Sequence, residues 1–501
     1  MRARRGVLPL AFVSIYAVAV VIAPLLYLAY YAYHSSLDRL MIEVLKASLE
    51  QSLMQATLST IISLSVGLLF GLLLIVYNGK MKNIFISLLL VTYVMPGIVM
   101  AIGIISIFGY SSRFWEIIYG NVVYNAPMIS VLAFSTGNSA NLREIYSAKT
   151  LGAKDSEIIS KFYLPSSLRG GMLGAILTFI LSFEGFSLPL IIGGPSYSTM
   201  EVMIYELKSI LPTISQVPFS GASLLGLIQI AILIVPLYAY LTIRSRSRRD
   251  DSNLPPPLKR YNVVALVGLV LFIFFISVPF FGMFVKYPIW LLDLHSVTSK
   301  LQISFSALIS NTVLFSFAST FIAFMISIII TVYRPTLRNQ FLILLPLIFS
   351  PVTLALSYFL IYGEHIPTSI LIILIFAAII IPLNLTMMIQ STGTIMPSES
   401  NSSRILGDSP FATFFKVQLP RIKWEMSTIL SLMFITVMGE FSSIVTVYTQ
   451  STETITIGIY NLLYLRDLRD TYNLTEIFLI VIFISSLIIN HLGKSGSVGQ
   501  T

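Results

Sequence analysis

Long apolar runs separated by short polar connections dominate the chain, and the runs predict its elements. A helix of about 20 apolar residues crosses about 30 Å of hydrocarbon. Twelve runs approach or exceed that length, at roughly 7–33, 51–77, 84–109, 118–136, 170–193, 218–243, 262–285, 304–333, 341–363, 366–390, 424–446 and 473–492. Pro127 and Pro382 fall inside the fourth and tenth runs, where neighbouring helices satisfy the backbone groups that a proline frees. The pattern predicts an all-α membrane protein with twelve transmembrane helices. The first run follows a basic start, MRARR, but its apolar stretch outlasts the h-region of a signal peptide, so it reads as a retained helix.

The runs repeat. Pro96 recurs as Pro351, Pro127 as Pro382, Gly152 as Gly407, Pro165 as Pro420 and Ile204-Tyr205 as Ile459-Tyr460, each 255 residues on. Tyr77 and Tyr333, and Glu184 and Glu440, recur at 256. An offset held over that distance predicts a duplicated unit. The first copy covers 1–243 with a core of about 50–243. The second covers 262–501 with a core of about 304–492. Between them lies a polar, proline-rich linker, 244–261. Six runs on each side keep both copies in one orientation, so the halves are expected to be parallel repeats, with the first and seventh helices peripheral.

Composition agrees with the membrane class. The chain is 56% hydrophobic and 11% charged, with a mean hydropathy of +0.87, outside the range of soluble domains. Charge sets the orientation. Arg2, Arg4, Arg5, Lys80, Lys82 and the run Arg244, Arg246, Arg248, Arg249, Lys259 and Arg260 all fall on one side if the N-terminus is cytoplasmic. The positive-inside rule then puts both termini in the cytoplasm of a cell membrane. The net charge of +9 is spread over several loops and makes no basic patch for nucleic acid.

Several chemistries are excluded. With no cysteine there are no disulfides or thiolate metal sites. The four histidines, His34, His295, His365 and His491, lack ligand spacing, so no metal site and no cofactor is expected. Gly493-Lys494-Ser495 looks like the end of a phosphate loop, but Ile488 stands where that loop needs glycine. Hydrolase motifs are absent too. No motif in the chain points to an enzyme.

The loops between the fourth and fifth helices of each half carry the most specific pattern. One reads NLREIYSAKTLGAKDSEIISKFYLPSSLRG and the other GTIMPSESNSSRILGDSPFATFFKVQLPRIKW. In each, a glycine precedes Leu-Pro at the same spacing: Gly152 with Leu164-Pro165, and Gly407 with Leu419-Pro420. Each glycine is expected to separate two short helices, where positive φ is cheap. Asp408 or Ser409 can cap the following helix, with Pro410 in its first turn. Phe411, Phe414 and Phe415 fall on one helical face, and Ile158, Ile159 and Phe162 are the counterparts in the first loop. Such a face either packs on the protein's own helix ends or docks in a partner's groove.

These residues resemble the cytoplasmic "EAA" loop of ABC importer permeases: Glu-Ala-Ala, then Gly, then an aliphatic residue and Leu-Pro. The matching positions are Tyr146, Ser147, Ala148, Gly152, Phe162 and Pro165, and then Asn401, Ser402, Ser403, Gly407, Val417 and Pro420. The glutamate of the motif is missing from both copies; Glu144 and Glu399 stand two residues earlier. The fused twelve-helix arrangement is similar to iron(III) and thiamine importer permeases, whose unfused relatives carry polyamines, sulfate or molybdate. The resemblance implies a type I ABC importer permease fold. It also implies a separate ABC ATPase, in two copies, docked on Ile158, Phe411, Phe414 and the motif residues, and an extracellular solute-binding protein that does most of the selecting.

Glu184 and Glu440 lie within predicted helices, at a depth where ionisable groups face a cavity or a partner. If they line the path, they favour a cation, which points to iron(III), thiamine or a polyamine over an oxyanion. Pro96 and Pro351 are expected to bend path-lining helices. The rival reading is a secondary carrier of the major facilitator type, also built from two six-helix halves. Its longest cytoplasmic loop usually joins the halves; here the loops within the halves are longer.

Overall fold

The computed structural model describes residues 18–35, 39–138, 142–194, 197–209, 219–245, 261–291, 293–333, 345–393 and 395–495. Most of the linker, 246–260, and the basic start lie outside these residues. Every regular element among the described residues is helical. Among the described residues, seven helices are each long and apolar enough to cross a membrane: Met41–Val76, Arg113–Gly137, Asp155–Phe183, Ser220–Ile243, Asn262–Lys286, Phe305–Val332 and Thr368–Gly393.

Among the described residues, the third and ninth predicted runs are not single long helices. The third run is broken rather than bent: Lys82–Val94 ends, Met95 and Pro96 are extended, and Gly97–Phe108 begins. In the ninth run, Pro351 opens Pro351–Tyr362, with Ser350 Oγ accepting from Thr353 N at 3.2 Å. Proline is well placed at that first helical position. Pro127 and Pro382, by contrast, sit inside continuous helices, Arg113–Gly137 and Thr368–Gly393.

The break at Pro96 has its own support. The Tyr124 hydroxyl donates to the Met95 carbonyl at 2.8 Å. Tyr124→Phe would leave that carbonyl unpaired at a part-buried site, a cost of about 1–3 kcal/mol. A thermal melt should show lowered stability with unchanged helix content; an unaltered melting temperature would mean that another donor serves Met95.

The chain forms two compact units. One comprises 37–203 and 228–286. Its centre is a close three-helix contact of Arg39–Val76, Arg113–Gly137 and Leu164–Phe183. Small residues permit it: a Cβ at Gly71 would stand 2.8 Å from the Ala133 Cβ, and one at Gly174 2.8 Å from Ile129 Cγ1. Without a hydrophobic drive between helices in lipid, such close backbone approach supplies the packing. Asn262–Lys286 joins this unit against Gly97–Phe108, and Phe272 stacks on Phe70 with ring centroids 3.8 Å apart.

The other unit comprises 1–36, 204–227 and 287–501. Phe305–Tyr333 packs there on Thr368–Gly393 and Lys423–Met438, and Leu468–Ser495 lies against Lys423–Met438. The early helix Ala23–Tyr33 belongs to this unit and packs on Pro351–Tyr362. Each unit therefore draws chain from both sides of the linker.

Candidate functional site

Both loops fold around their glycines in the same way. Gly152 has φ +86° and Gly407 φ +96°. After Leu142–Thr150, Gly152 N donates to Lys149 O and Ala153 N to Ala148 O, each at 3.0 Å. After Pro397–Ile405, Gly407 N donates to Arg404 O at 3.1 Å and Asp408 N to Ser403 O at 3.2 Å. Both are Schellman caps with glycine at the left-handed position. A short helix follows each: Asp155–Ile158 and Pro410–Thr413. Each then runs through a π-helical turn, Ile159–Tyr163 or Phe414–Gln418, to the Leu-Pro that opens the next helix.

Between the two cap candidates, Ser409 is the cap: its Oγ accepts from Ala412 N at 3.2 Å. Asp408 instead pairs with Lys416 at 2.6 Å and accepts from Ser403 Oγ at 2.8 Å, which hold its carboxyl below the usual range. In the first loop the cap runs backwards, with Lys154 N donating to Glu157 Oε2 at 3.0 Å.

The predicted docking residues divide by exposure. Ile158 and Phe414 are buried and Ser403 is nearly so; they pack the loops themselves. Ala148, Phe162, Phe411 and Val417 are half-buried, and Pro165, Pro420, Ser147, Asn401 and Ser402 are exposed. Tyr146 and Phe415 are exposed large side chains. The most exposed apolar groups were not singled out from the sequence: Leu151 is 87% exposed, Leu406 86% and Ile405 84%. Leu151 and Leu406 immediately precede the two glycines, 255 residues apart. The signal that could have found them was the residue before each cap. Glu399 is held by Arg421, at 3.2 Å from Nε, while Glu144 is exposed.

The two glutamates sit at helix breaks rather than inside helices. Glu184 caps the C-terminal end of Leu164–Phe183. Its unit supplies a polar network around the break: Gln55 Nε2 donates to Ser182 O at 2.9 Å, and Gln229 Nε2 donates to Glu201 Oε1 at 2.8 Å. Glu201, overlooked in the sequence, is fully buried and lies close enough to Glu184 for the two carboxyl groups to act on each other. Glu184 Oε1 is buried without a hydrogen-bond partner among the described residues.

Glu440 follows Lys423–Met438, and its Oε1 accepts from Ser443 N at 3.0 Å and Ser443 Oγ at 3.3 Å. The two carboxylates thus share a place in the chain but not a bonding pattern. Non-helical backbone at membrane depth is tolerated where it is buried in protein or lines a cavity.

After each break a short buried helix begins, Met200–Ser209 and Ile455–Tyr464. Both starts are capped by a hydroxyl of a long helix. Met200 N donates to Ser52 Oγ at 2.8 Å, and Ile455 N donates to Thr312 Oγ1 at 2.9 Å.

Residues 63–250 match the family model described as "Binding-protein-dependent transport system inner membrane component". That span contains the first Gly-capped loop and Glu184, and it bears out the resemblance drawn from the loops. The chain is 29% identical over 134 residues to the spermidine/putrescine transport system permease protein PotC of Haemophilus influenzae, covering 26% of this chain and 52% of that one. With PotC of Escherichia coli K12 it shares 28% over 137 residues, 27% and 52% of the two chains. With the thiamine transport system permease protein ThiP of Haemophilus influenzae it shares 21% over 221 residues, 40% of each. The chain spans about half the length of the curated PotC relatives it matches. The apolar helices make it a multi-pass membrane protein, and residues 63–250 are similar to the inner membrane components of such transport systems.

Proposed function

We propose that this chain is the permease subunit of an ATP-driven importer, forming the path for a small organic cation handed over by an extracellular binding protein. The observation that carries the reading is the pair of Gly-capped loops, each presenting an exposed leucine on a Schellman cap. Two such loops suit two copies of an ABC ATPase, each receiving one short helix. Leu151, Ile405, Leu406, Tyr146 and Phe415 lead the docking surface in this reading, and Ile158 and Phe414 hold it rigid from beneath.

The twelve-span, parallel-repeat arrangement belongs to the same proposal, with both termini cytoplasmic. It is supported by paired devices 255 residues apart: the glycine caps at 152 and 407, and the hydroxyl-capped starts at 200 and 455. The cation preference is supported by the buried Glu201, by the half-buried Glu184 and Glu440, and by the substrates in the relatives' names, spermidine, putrescine and thiamine. Iron(III) remains within the same charge class.

The test is biochemical. The purified chain should hydrolyse no ATP and should stimulate hydrolysis by an added nucleotide-binding subunit. Hydrolysis by the chain alone would refute the division of labour. Uptake of the cation driven by a proton gradient without ATP would favour the major facilitator reading.

A further inference from the structure

The short helices that follow the two breaks bring an aromatic and acidic cluster together within one unit. Tyr205 on Met200–Ser209 and Tyr460 on Ile455–Tyr464 are hydrogen-bonded through their hydroxyls. These are the positions that recur 255 residues apart. In a parallel duplication, a residue touches its own counterpart only near the pseudo-twofold axis. Glu206 acts electrostatically on both rings' hydroxyls, Tyr448 acts on Tyr205, and Tyr460 acts on Tyr448.

Asn461 extends the cluster. Its Oδ1 accepts from the Tyr448 hydroxyl at 3.4 Å, and its Nδ2 donates to Glu453 Oε1 at 3.2 Å. Glu453 is only 5% exposed, and its Oε2 has no hydrogen-bond partner among the described residues. Burial pushes its carboxyl up to about 7. A buried carboxyl oxygen beside tyrosine rings lacks a counter-charge, and ring faces attract cations.

The neighbourhood already holds one alkylammonium group. The Lys208 Nζ lies 4.6 Å from the centroid of the Phe359 ring and donates to the Thr446 carbonyl. Burial pushes this lysine down to about 8.

We propose that Tyr205, Tyr448, Tyr460, Glu206 and Glu453 form a recognition box for an organic cation, with Lys208 as a tethered charge that weakens its hold. The box deepens the importer reading and rests on it for the direction of delivery. In the topology read from the sequence, both helices belong to connections on the outer side, where a delivered solute arrives. Aromatic faces take the apolar stem of such a cation, and the two carboxylates take its charge. A resident ammonium nearby keeps affinity low, so that the solute can leave again.

The test is equilibrium dialysis of radiolabelled spermidine and, separately, thiamine against the purified full chain in lipid nanodiscs, with sulfate as the anion control. One of the two cations should bind and sulfate should not. Glu206→Gln should weaken binding at least tenfold, Tyr460→Leu should do the same, and Tyr460→Phe should cost less. Lys208→Gln should tighten binding several-fold, an effect that a merely structural lysine would not give.

Wild-type affinity in Glu206→Gln, absence of binding by either cation, or weaker binding in Lys208→Gln would each overturn the box. Glu206→Gln keeps size, so it carries the test if Tyr460→Leu fails to fold, which a melt in the same nanodiscs would reveal. Stimulation of an added ATPase is measured on the same preparation. Cation binding without any stimulation would retire the importer reading and leave the box standing.

Discussion

Changing Leu151 and Leu406 together to Asp is expected to abolish ATP-driven uptake and to strip the nucleotide-binding subunit from the purified complex. Both side chains are almost fully exposed, at 87% and 86%. The chain itself should be nearly indifferent to the change, since surface substitutions of this kind fall within about 0.5 kcal/mol. Burying a leucine in a partner's groove stabilises by about 1.5–3 kcal/mol. Losing two of them weakens assembly by at least about a hundredfold.

A companion variant, Gly152→Val with Gly407→Val, separates the cap from the side chain. A Cβ at either glycine meets nothing within 4 Å, so there is no clash, only backbone strain of about 1–3 kcal/mol at each positive φ. Uptake should fall while membrane insertion survives. Complexes that still co-purify at wild-type yield in the leucine variant would end the docking role of these loops.

The second large effect is expected at Glu184 and Glu440. Glutamine at both keeps size and hydrogen-bond acceptance and removes charge. Uptake of a cation should slow by at least about tenfold, a change of about 1.4 kcal/mol in the barrier, with ATPase assembly unchanged. Alanine should split the pair. At Glu440 it deletes the acceptor for Ser443 N and Oγ, a capping loss of about 0.5–2 kcal/mol visible as a lowered melting temperature. At Glu184 the buried Oε1 makes no such bond, so stability should change less. Uptake in sealed vesicles at the wild-type rate in the double glutamine variant would remove both residues from the path.

Much of this was legible in the chain. The apolar runs gave the helical membrane class, and glycine with Leu-Pro at a fixed spacing gave the loops, their positive φ and their short helices. These signals are local and repeat in sequence. What escaped depends on distant partners. The broken helix at Pro96 needs Tyr124 to receive the freed carbonyl, and the extended Met95 could not be inferred from hydropathy. Glu184 and Glu440 read as helix-interior because apolar residues continue on both sides; at Glu184 the helix end coincides with a bond from the distant Gln55 to Ser182 O. The helices Met200–Ser209 and Ile455–Tyr464 are too short to register as spans. The recurrence of Ile-Tyr marked their position without giving a role. Ile158 and Phe414 carry the right periodicity, yet periodicity does not say which neighbour covers a face.

The exchange of helices between the compact units has a consequence for biosynthesis. Ala23–Tyr33 is among the first segments to leave the ribosome, but its packing partner Pro351–Tyr362 lies more than three hundred residues later. At ordinary rates of translation the early helix waits on the order of half a minute in the bilayer before that partner exists. The unit built around 37–203 is likewise incomplete until Asn262–Lys286 has been inserted. A ribosome stalled in the linker would therefore leave neither unit finished, and a nascent half would expose helix faces that quality-control proteases can read. Severing the chain there and expressing the two pieces together would turn an intramolecular pairing into a search in two dimensions.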